Sequence, residues 1–208
     1  ISITINAQPQ LFSAIVSSTD VTCFGLTDGS AIALGGGGNP VSPGVYSYSW
    51  DTSPVSSGGV SSTTSTGPIL GNPLGGPQDY ECTITDDNGC TEVATVTIAA
   101  PISGIVAVAS TSTPVDPVTG VPTLNCFGDS DGQASVSPTG GTPFPGGVNP
   151  YNYSWMNVVT NVQESTLQAP TTLPAGIYNC VITDANGCST FPTPTNNITI
   201  DQPPLITA

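Results

Sequence analysis

The constraint that most limits how this chain can fold is a long internal repeat. Cys23-Phe24-Gly25 followed by Asp28-Gly29 returns as Cys126-Phe127-Gly128 followed by Asp131-Gly132. Tyr46-Ser47-Tyr48-Ser49-Trp50 returns as Tyr151-Asn152-Tyr153-Ser154-Trp155. Tyr80-Glu81-Cys82-Thr83-Ile84-Thr85-Asp86-Asp87-Asn88-Gly89-Cys90 returns as Tyr178-Asn179-Cys180-Val181-Ile182-Thr183-Asp184-Ala185-Asn186-Gly187-Cys188. The offsets are 103, 105 and 98, so order is kept and insertions fall between motifs. Two tandem copies of one supersecondary plan share the 208 residues.

Each copy reads as strands. Tyr46, Tyr48 and Trp50 alternate with Ser, which places three aromatics on one face, and Tyr80, Cys82 and Ile84 alternate in the same way. Asp87-Asn88-Gly89 and Ala185-Asn186-Gly187 are expected to supply the positive-φ residues of tight hairpins. The Ser/Thr/Pro/Gly-rich segments Ser53–Gly76 and Val159–Gly176 have room for one or two short strands each. Val, Ile, Thr and Tyr dominate the apolar runs and strong helix formers are few. The predicted class is all-β, two tandem immunoglobulin-like β-sandwich domains with six or seven strands in about 97 residues each.

Composition matters most for function. The chain contains no Lys, Arg or His and carries 14 Asp or Glu, for a net charge of -14. Nucleic-acid binding is excluded, because phosphate neutralisation needs cationic side chains. Histidine-based nucleophilic catalysis, Schiff-base chemistry and His-ligated metals each lack an essential group. A paired-carboxylate glycosidase is the one enzymatic route left, and the acids fall in turns, so a non-enzyme is expected. Leu, Ile, Val and Phe make up 48 of the 208 residues, enough to bury a core despite 24 Gly and 21 Pro. No apolar run approaches the ~18 residues of a membrane span, so membrane insertion is not expected.

The ends carry a further echo. Gln8-Pro9-Gln10-Leu11-Phe12-Ser13-Ala14 matches Gln202-Pro203-Pro204-Leu205-Ile206-Thr207-Ala208, and the second copy opens similarly at Pro101-Ile102. The expected division is therefore 1–8 as the last strand of a preceding repeat or an exchanged strand, 9–100 and 101–203 as the two sandwiches, and 204–208 as the start of a following repeat. Pro9, Pro101 and Pro203 at the junctions would limit bending.

The six cysteines fall three per copy, and six allow 15 full pairings. Alternating strand directions would bring the loop at Cys23 beside the hairpin ending at Cys90, which favours Cys23–Cys90 and Cys126–Cys188. Cys82–Cys90 fails on geometry: with Thr85 facing Cys90, Cys82 faces Val93, about 10 Å along the strand, beyond the ~7 Å Cα limit. Cys82 and Cys180 are left as buried thiols, or as bonds to neighbouring subunits. The Tyr-x-Cys strand is also similar to that of immunoglobulin domains, which keeps Cys23–Cys82 as the alternative pairing.

Asp129-Ser130-Asp131-Gly132 has the look of a calcium-loop opening, carboxylates at i and i+2 before a turning Gly. A Cys126–Cys188 bond would bring Asp184 and Asn186 to the same end. The first copy offers Asp28 with Asp86, Asp87 and Asn88 opposite. Calcium is thus the one cofactor expected, against the simpler account that Asp-Gly and Asn-Gly make turns. The aromatic stripes are expected in the core rather than as a sugar platform. Asn152-Tyr153-Ser154 and Asn197-Ile198-Thr199 match the glycosylation acceptor pattern, a weak signal in a Ser/Thr-rich chain.

Taken together, the motifs resemble the SprB repeat family: a Cys-x-Gly and Asp-Gly start, a Gly-Gly then Tyr-x-Tyr-x-Trp middle, and an ending that residues Leu173-Pro174-Ala175-Gly176 through Cys188 carry almost intact. The first copy departs at Leu74-Gly75-Gly76-Pro77 and at Asp87. The resemblance implies very long Bacteroidota cell-surface proteins, including gliding-motility adhesins, exported by the type IX system. It does not make this chain itself a motility adhesin. The expected function is a structural or adhesive module of a secreted surface filament, cohering by strand pairing, apolar contacts and disulfides, with copies of itself or neighbouring repeats as partners and surface polysaccharide as a further candidate. The alternative is a calcium-dependent carbohydrate- or ligand-binding module of a surface adhesin. Trypsin-like proteases have no cleavage site in such a chain, and side-chain salt bridges cannot hold it to its neighbours.

Overall fold

A computed structural model describes residues 7–42, 44–51, 75–147, 150–190 and 197–207. All regular structure among them is strand, as the β-branched, turn-punctuated sequence predicts. The expected strand at Ile1–Ile5 and most of the Ser53–Gly76 segment lie outside the described residues.

The chain divides into two compact units, Ile1–Ser103 and Gly104–Ala208. In unit 1, β1 (Phe12–Thr19) pairs antiparallel with β2 (Ser30–Gly36), and β3 (Ser47–Asp51), β4 (Gln78–Thr85) and β5 (Thr91–Ile98) form a second antiparallel sheet in the order β3-β4-β5. The sheets lie face to face: a Cβ added to Gly35 of β2 would sit 2.7 Å from Ile84 Cγ2 of β4 and 3.1 Å from the Tyr46 ring. Only a residue without a side chain lets the two layers approach so closely there.

Period-2 alternation supplies the core. Tyr46, Tyr48 and Trp50 point inward with Tyr80, Cys82 and Ile84, and meet Ala31 and Ala33 of β2 and Ile98 of β5. The paired registers are Tyr48 with Ile84 and Trp50 with Cys82. Small residues on β2 opposite large ones on β3 and β4 fill the layer without crowding. The β4–β5 hairpin pairs Thr85 with Thr91 and Cys82 with Ala94. This register is one residue from the expectation that Cys82 faces Val93. The turn explains the offset. Gly89 alone takes positive φ, at 80°, and its N–H reaches the Asp86 carbonyl, 3.0 Å away, while the Asp86 N–H donates to the Cys90 carbonyl, 3.0 Å away. The loop therefore runs one residue longer than a two-residue Asn-Gly turn.

Unit 2 repeats the plan. β6 (Val106–Thr111) pairs with β7 (Ala134–Thr139), and β8 (Asn152–Asn157), β9 (Gln163–Ser165), β10 (Gly176–Thr183) and β11 (Ile198–Ile200) form a sheet in the order β11-β10-β8-β9. Tyr153 pairs with Ile182 and Trp155 with Cys180, the same cross-strand partners as in unit 1. Tyr151, Tyr153, Trp155, Tyr178, Ile182 and Ile200 are all buried. The aromatic stripes of both copies are thus core. β9 supplies a strand inside the Val159–Gly176 segment.

Candidate functional site

With no pocket chemistry announced by the sequence, the informative places are the two poles of each sandwich. The motif residues collect there, and the chain enters and leaves there.

One pole is built around the hairpin Asp. In unit 1, Asp86 Oδ1 accepts from the backbone N–H groups of Asn88 (3.0 Å) and Cys90 (2.9 Å), and Oδ2 accepts from that of Asn39 (2.9 Å). In unit 2, Asp184 Oδ1 accepts from Asn186 (3.0 Å) and Cys188 (2.9 Å), and Oδ2 from Thr142 (2.8 Å). Each carboxylate closes its own hairpin and ties it to the loop that follows β2 or β7. The Gly-Gly of the repeat makes this reach possible. Gly38 (φ 58°) and Gly141 (φ 63°) lie in the left-handed region, and a Cβ on either would fall 2.7 Å from the carboxylate Oδ2. A tyrosine completes the tie: Tyr46 Oη donates to the Gly37 carbonyl and Tyr151 Oη to the Gly140 carbonyl, both at 2.7 Å. The Asn39 N–H, foremost among these donors, holds the Asp86 carboxyl below the ordinary carboxylate range.

The other pole is built around the Cys-Phe-Gly loop. The N–H of Val21 donates to the Ala99 carbonyl (2.9 Å), just past β5, and the N–H of Leu124 to the Asp201 carbonyl (2.9 Å), just past β11. Gly25 (φ 80°) and Gly128 (φ 83°) turn the loops. Asp28 accepts from the Thr22 N–H (3.1 Å) and from its hydroxyl, and Asp131 accepts from the Asn125 N–H (3.4 Å) and from its side-chain amide. The Thr22 hydroxyl is the main group lowering the Asp28 pKa.

This geometry corrects the cysteine expectation. Cys23 and Cys188 are disulfide-bonded, whereas Cys82, Cys90, Cys126 and Cys180 are free thiols. Neither Cys23–Cys90 nor Cys126–Cys188 forms, nor does Cys23–Cys82. β3 ends and β4 begins at the same pole, since Asp51 pairs with Glu81, and β8 and β10 share that arrangement through Asn157 and Tyr178. The hairpin cysteine of each copy consequently lands at the far pole from the loop cysteine. Eight residues of β5 or β10 separate the poles, about 26 Å at ~3.3 Å per residue, against the ~7 Å that a disulfide spans. Cys82, the cross-strand partner of Trp50, is fully buried, and burial pushes its thiol up to about 11; Cys180, partly buried, is also pushed up to about 11.

The same separation divides the calcium candidates. Asp28, Asp129 and Asp131 sit with the loop pole; Asp86, Asn88, Asp184 and Asn186 sit with the hairpin pole, where the Asp oxygens are already occupied by N–H groups. Among the described residues, no three His, Cys, Asp or Glu side chains converge as a set able to hold a metal ion. The role of Asp86 and Asp184 as hairpin staples was missed in the sequence, although the spacing Thr-Asp-x-Asn-Gly-Cys carries the signal, an Asx turn opening three residues before the Gly. Asn152 and Asn197, the two glycosylation candidates, are both exposed. Among the described residues, no helix is long and apolar enough to cross a membrane.

No curated protein matches the chain. Among solved structures, immunoglobulin domains 1–5 of Sidekick-1 align over 95% of this chain and 40% of theirs, at 12% identity and a TM-score of 0.36. Salmonella alpha-2-macroglobulin reacted with methylamine aligns over 96% of this chain and 17% of its own, at 9% identity and a TM-score of 0.25. The chain thus spans less than half the length of either. Residues 124–160, from the loop pole of unit 2 through its Tyr-x-Tyr-x-Trp strand, match the family model of the SprB repeat, the family that the motifs resemble.

Proposed function

We propose that this chain is a non-enzymatic structural or adhesive module of an extracellular bacterial surface filament, each sandwich serving as one bead. The observation that carries this reading is how the chain is threaded through each unit. It enters unit 1 at the hairpin pole, where the Gly38 N–H donates to the Pro9 carbonyl (3.0 Å) and Leu11 is buried beside Gly38. It leaves past Ala99 at the loop pole. Unit 2 is entered at Ile105, against Gly141 and the Asp184 staple, and left past Asp201 at its loop pole. Entry and exit at opposite ends let such beads be strung in series and transmit tension along their strands. A module with both ends on one side cannot do so.

Surface chemistry supports cohesion without charge pairing. Phe12, Val16, Ile32 and Leu34 of β1 and β2 are exposed, as are Val106 and Val108 of β6. With no cationic side chain in the sequence, contacts between neighbours fall to apolar patches, disulfides and strand addition at the edges of the two-stranded sheets. The SprB match and the disulfide-bonded cysteines support a location outside the cytoplasm. Electron micrographs of the purified chain at rising concentration test the reading. Beaded filaments are expected, and dispersed single particles at every concentration would overturn it.

A further inference from the structure

The cysteines fall into two classes by position. Cys23 and Cys126 belong to the loop pole, Cys90 and Cys188 to the hairpin pole. The disulfide-bonded cysteines are one of each class, Cys23 and Cys188. The free, exposed ones are again one of each, Cys90 and Cys126. Cys90 marks the pole where the chain enters unit 1, and Cys126 the pole where it leaves unit 2. Because about 26 Å separates the poles of one sandwich, a partner for either free thiol must come from outside its own sandwich.

We propose that Cys126 of one copy and Cys90 of a second copy form a head-to-tail disulfide, which joins copies of this chain end to end. The inference rests on the filament reading above and supplies its covalent link. Cys126 is set for this role. It lines an open cleft of about 440 Å³ together with Phe127, Pro203, Leu205 and Ile206, and Phe127 and Leu205 keep 48% and 61% of their surface exposed. An incoming hairpin tip carrying Cys90 would cover this apolar rim and bring its thiol to the one in the cleft. The hairpin arrives already rigid, because the Asp86 staple fixes the Cys90 N–H. The repeat equivalents of both residues, Cys23 and Cys188, are already oxidised in the chain, so both kinds of pole accommodate a bonded sulfur.

The oxidant is a small-molecule disulfide of the oxidised-glutathione class. One thiolate attacks it, releasing one small thiol and leaving a mixed disulfide. The thiolate of the second copy then displaces the remaining small thiol. Two protons leave the protein thiols, and two electrons pass to the small disulfide.

The test uses the full chain treated with oxidised glutathione and run on non-reducing gels. A ladder of dimers, trimers and higher species is expected, collapsing to monomer with dithiothreitol. Cys90→Ser and Cys126→Ser should each give no ladder alone, and an equimolar mixture of the two should stop at the dimer. Homodimers of either variant would overturn the pairing of unlike classes. Loss of two of the four titratable thiols with no ladder would place the bond within one copy and equally sink the proposal. Both substitutions are at exposed positions, and unchanged thermal melting of each variant checks its folding. Filaments in the presence of oxidised glutathione without any ladder would refute the disulfide and leave the filament reading standing; a ladder without filaments would do the reverse.

Discussion

Replacing Asp184 by Ala tests the staple on which the hairpin pole depends. The side chain is only 1% exposed, and its two oxygens accept three backbone N–H groups at 2.8–3.0 Å. A hydrogen bond to a charged group contributes about 1.5–3 kcal/mol net, so three of them set an upper range of roughly 4.5–9 kcal/mol. The actual loss is smaller, because Asn186 is exposed and water can reach the hairpin N–H groups once the carboxylate is gone. The Thr142 N–H, tied across to a second loop, is the donor hardest to re-satisfy. An expected loss of about 3 kcal/mol follows, close to that of one such bond plus one poorly hydrated donor. For a domain of this size, that corresponds to roughly 12–24 °C in the melting temperature of unit 2. Scanning calorimetry of the full chain reads this directly, with unit 1 as internal control because its own staple, Asp86, is intact. Gly141→Ala should destabilise the same unit by pushing a Cβ to within 2.7 Å of the carboxylate, and should do so less once Asp184 is Ala. A drop below about 1 kcal/mol in Asp184→Ala, or additivity of the two substitutions, would refute the staple.

Further outcomes can be checked with simple measurements. Gly35→Ala should destabilise unit 1 by about 1–3 kcal/mol through overpacking against Ile84 and Tyr46, read as an early calorimetric transition of that unit alone. Asp28 and Asp86 both have folded-state pKa values below the ordinary range. Their stabilisation is therefore fully present above the unfolded value near 4 and is lost as pH falls through the lower folded values. The melting temperature should stay level from pH 7 to about 5 and fall below about 4, and Asp28→Asn should shallow that fall. Thiol labelling at pH 8 should modify Cys90 and Cys126 quickly. Cys82, raised to about 11 by burial, has only about one thiolate in a thousand at that pH and should react only as the unit opens. If Asp184 already spends its oxygens on N–H groups, millimolar calcium or a chelator should leave the unit 2 transition unmoved; a rise with calcium would restore a cation to the hairpin pole.

Much of this molecule was legible in one dimension. Two repeats follow from the recurring motifs, and an all-β class, the inward aromatic stripes of Tyr46 to Trp50 and Tyr151 to Trp155, and buried Cys82 follow from period-2 alternation. A strand puts every second side chain on the same face whatever else surrounds it. The expectations that rest on missing Lys, Arg and His came from composition alone. The pairing of the cysteines was different in kind. It depends on how many times the chain crosses the sandwich between Cys23 and Cys90. One miscounted crossing moves a residue by the full length of a strand. The same miscount gathered Asp131 with Asp184 into a single cation site, when each belongs to its own pole. Even the hairpin register shifted by one residue, because Asp86 draws the turn around itself with its carboxylate. Alternation is local and can be read from neighbours in sequence. The pole at which a loop emerges is set by strand directions across the whole sheet, and only the folded structure decided that.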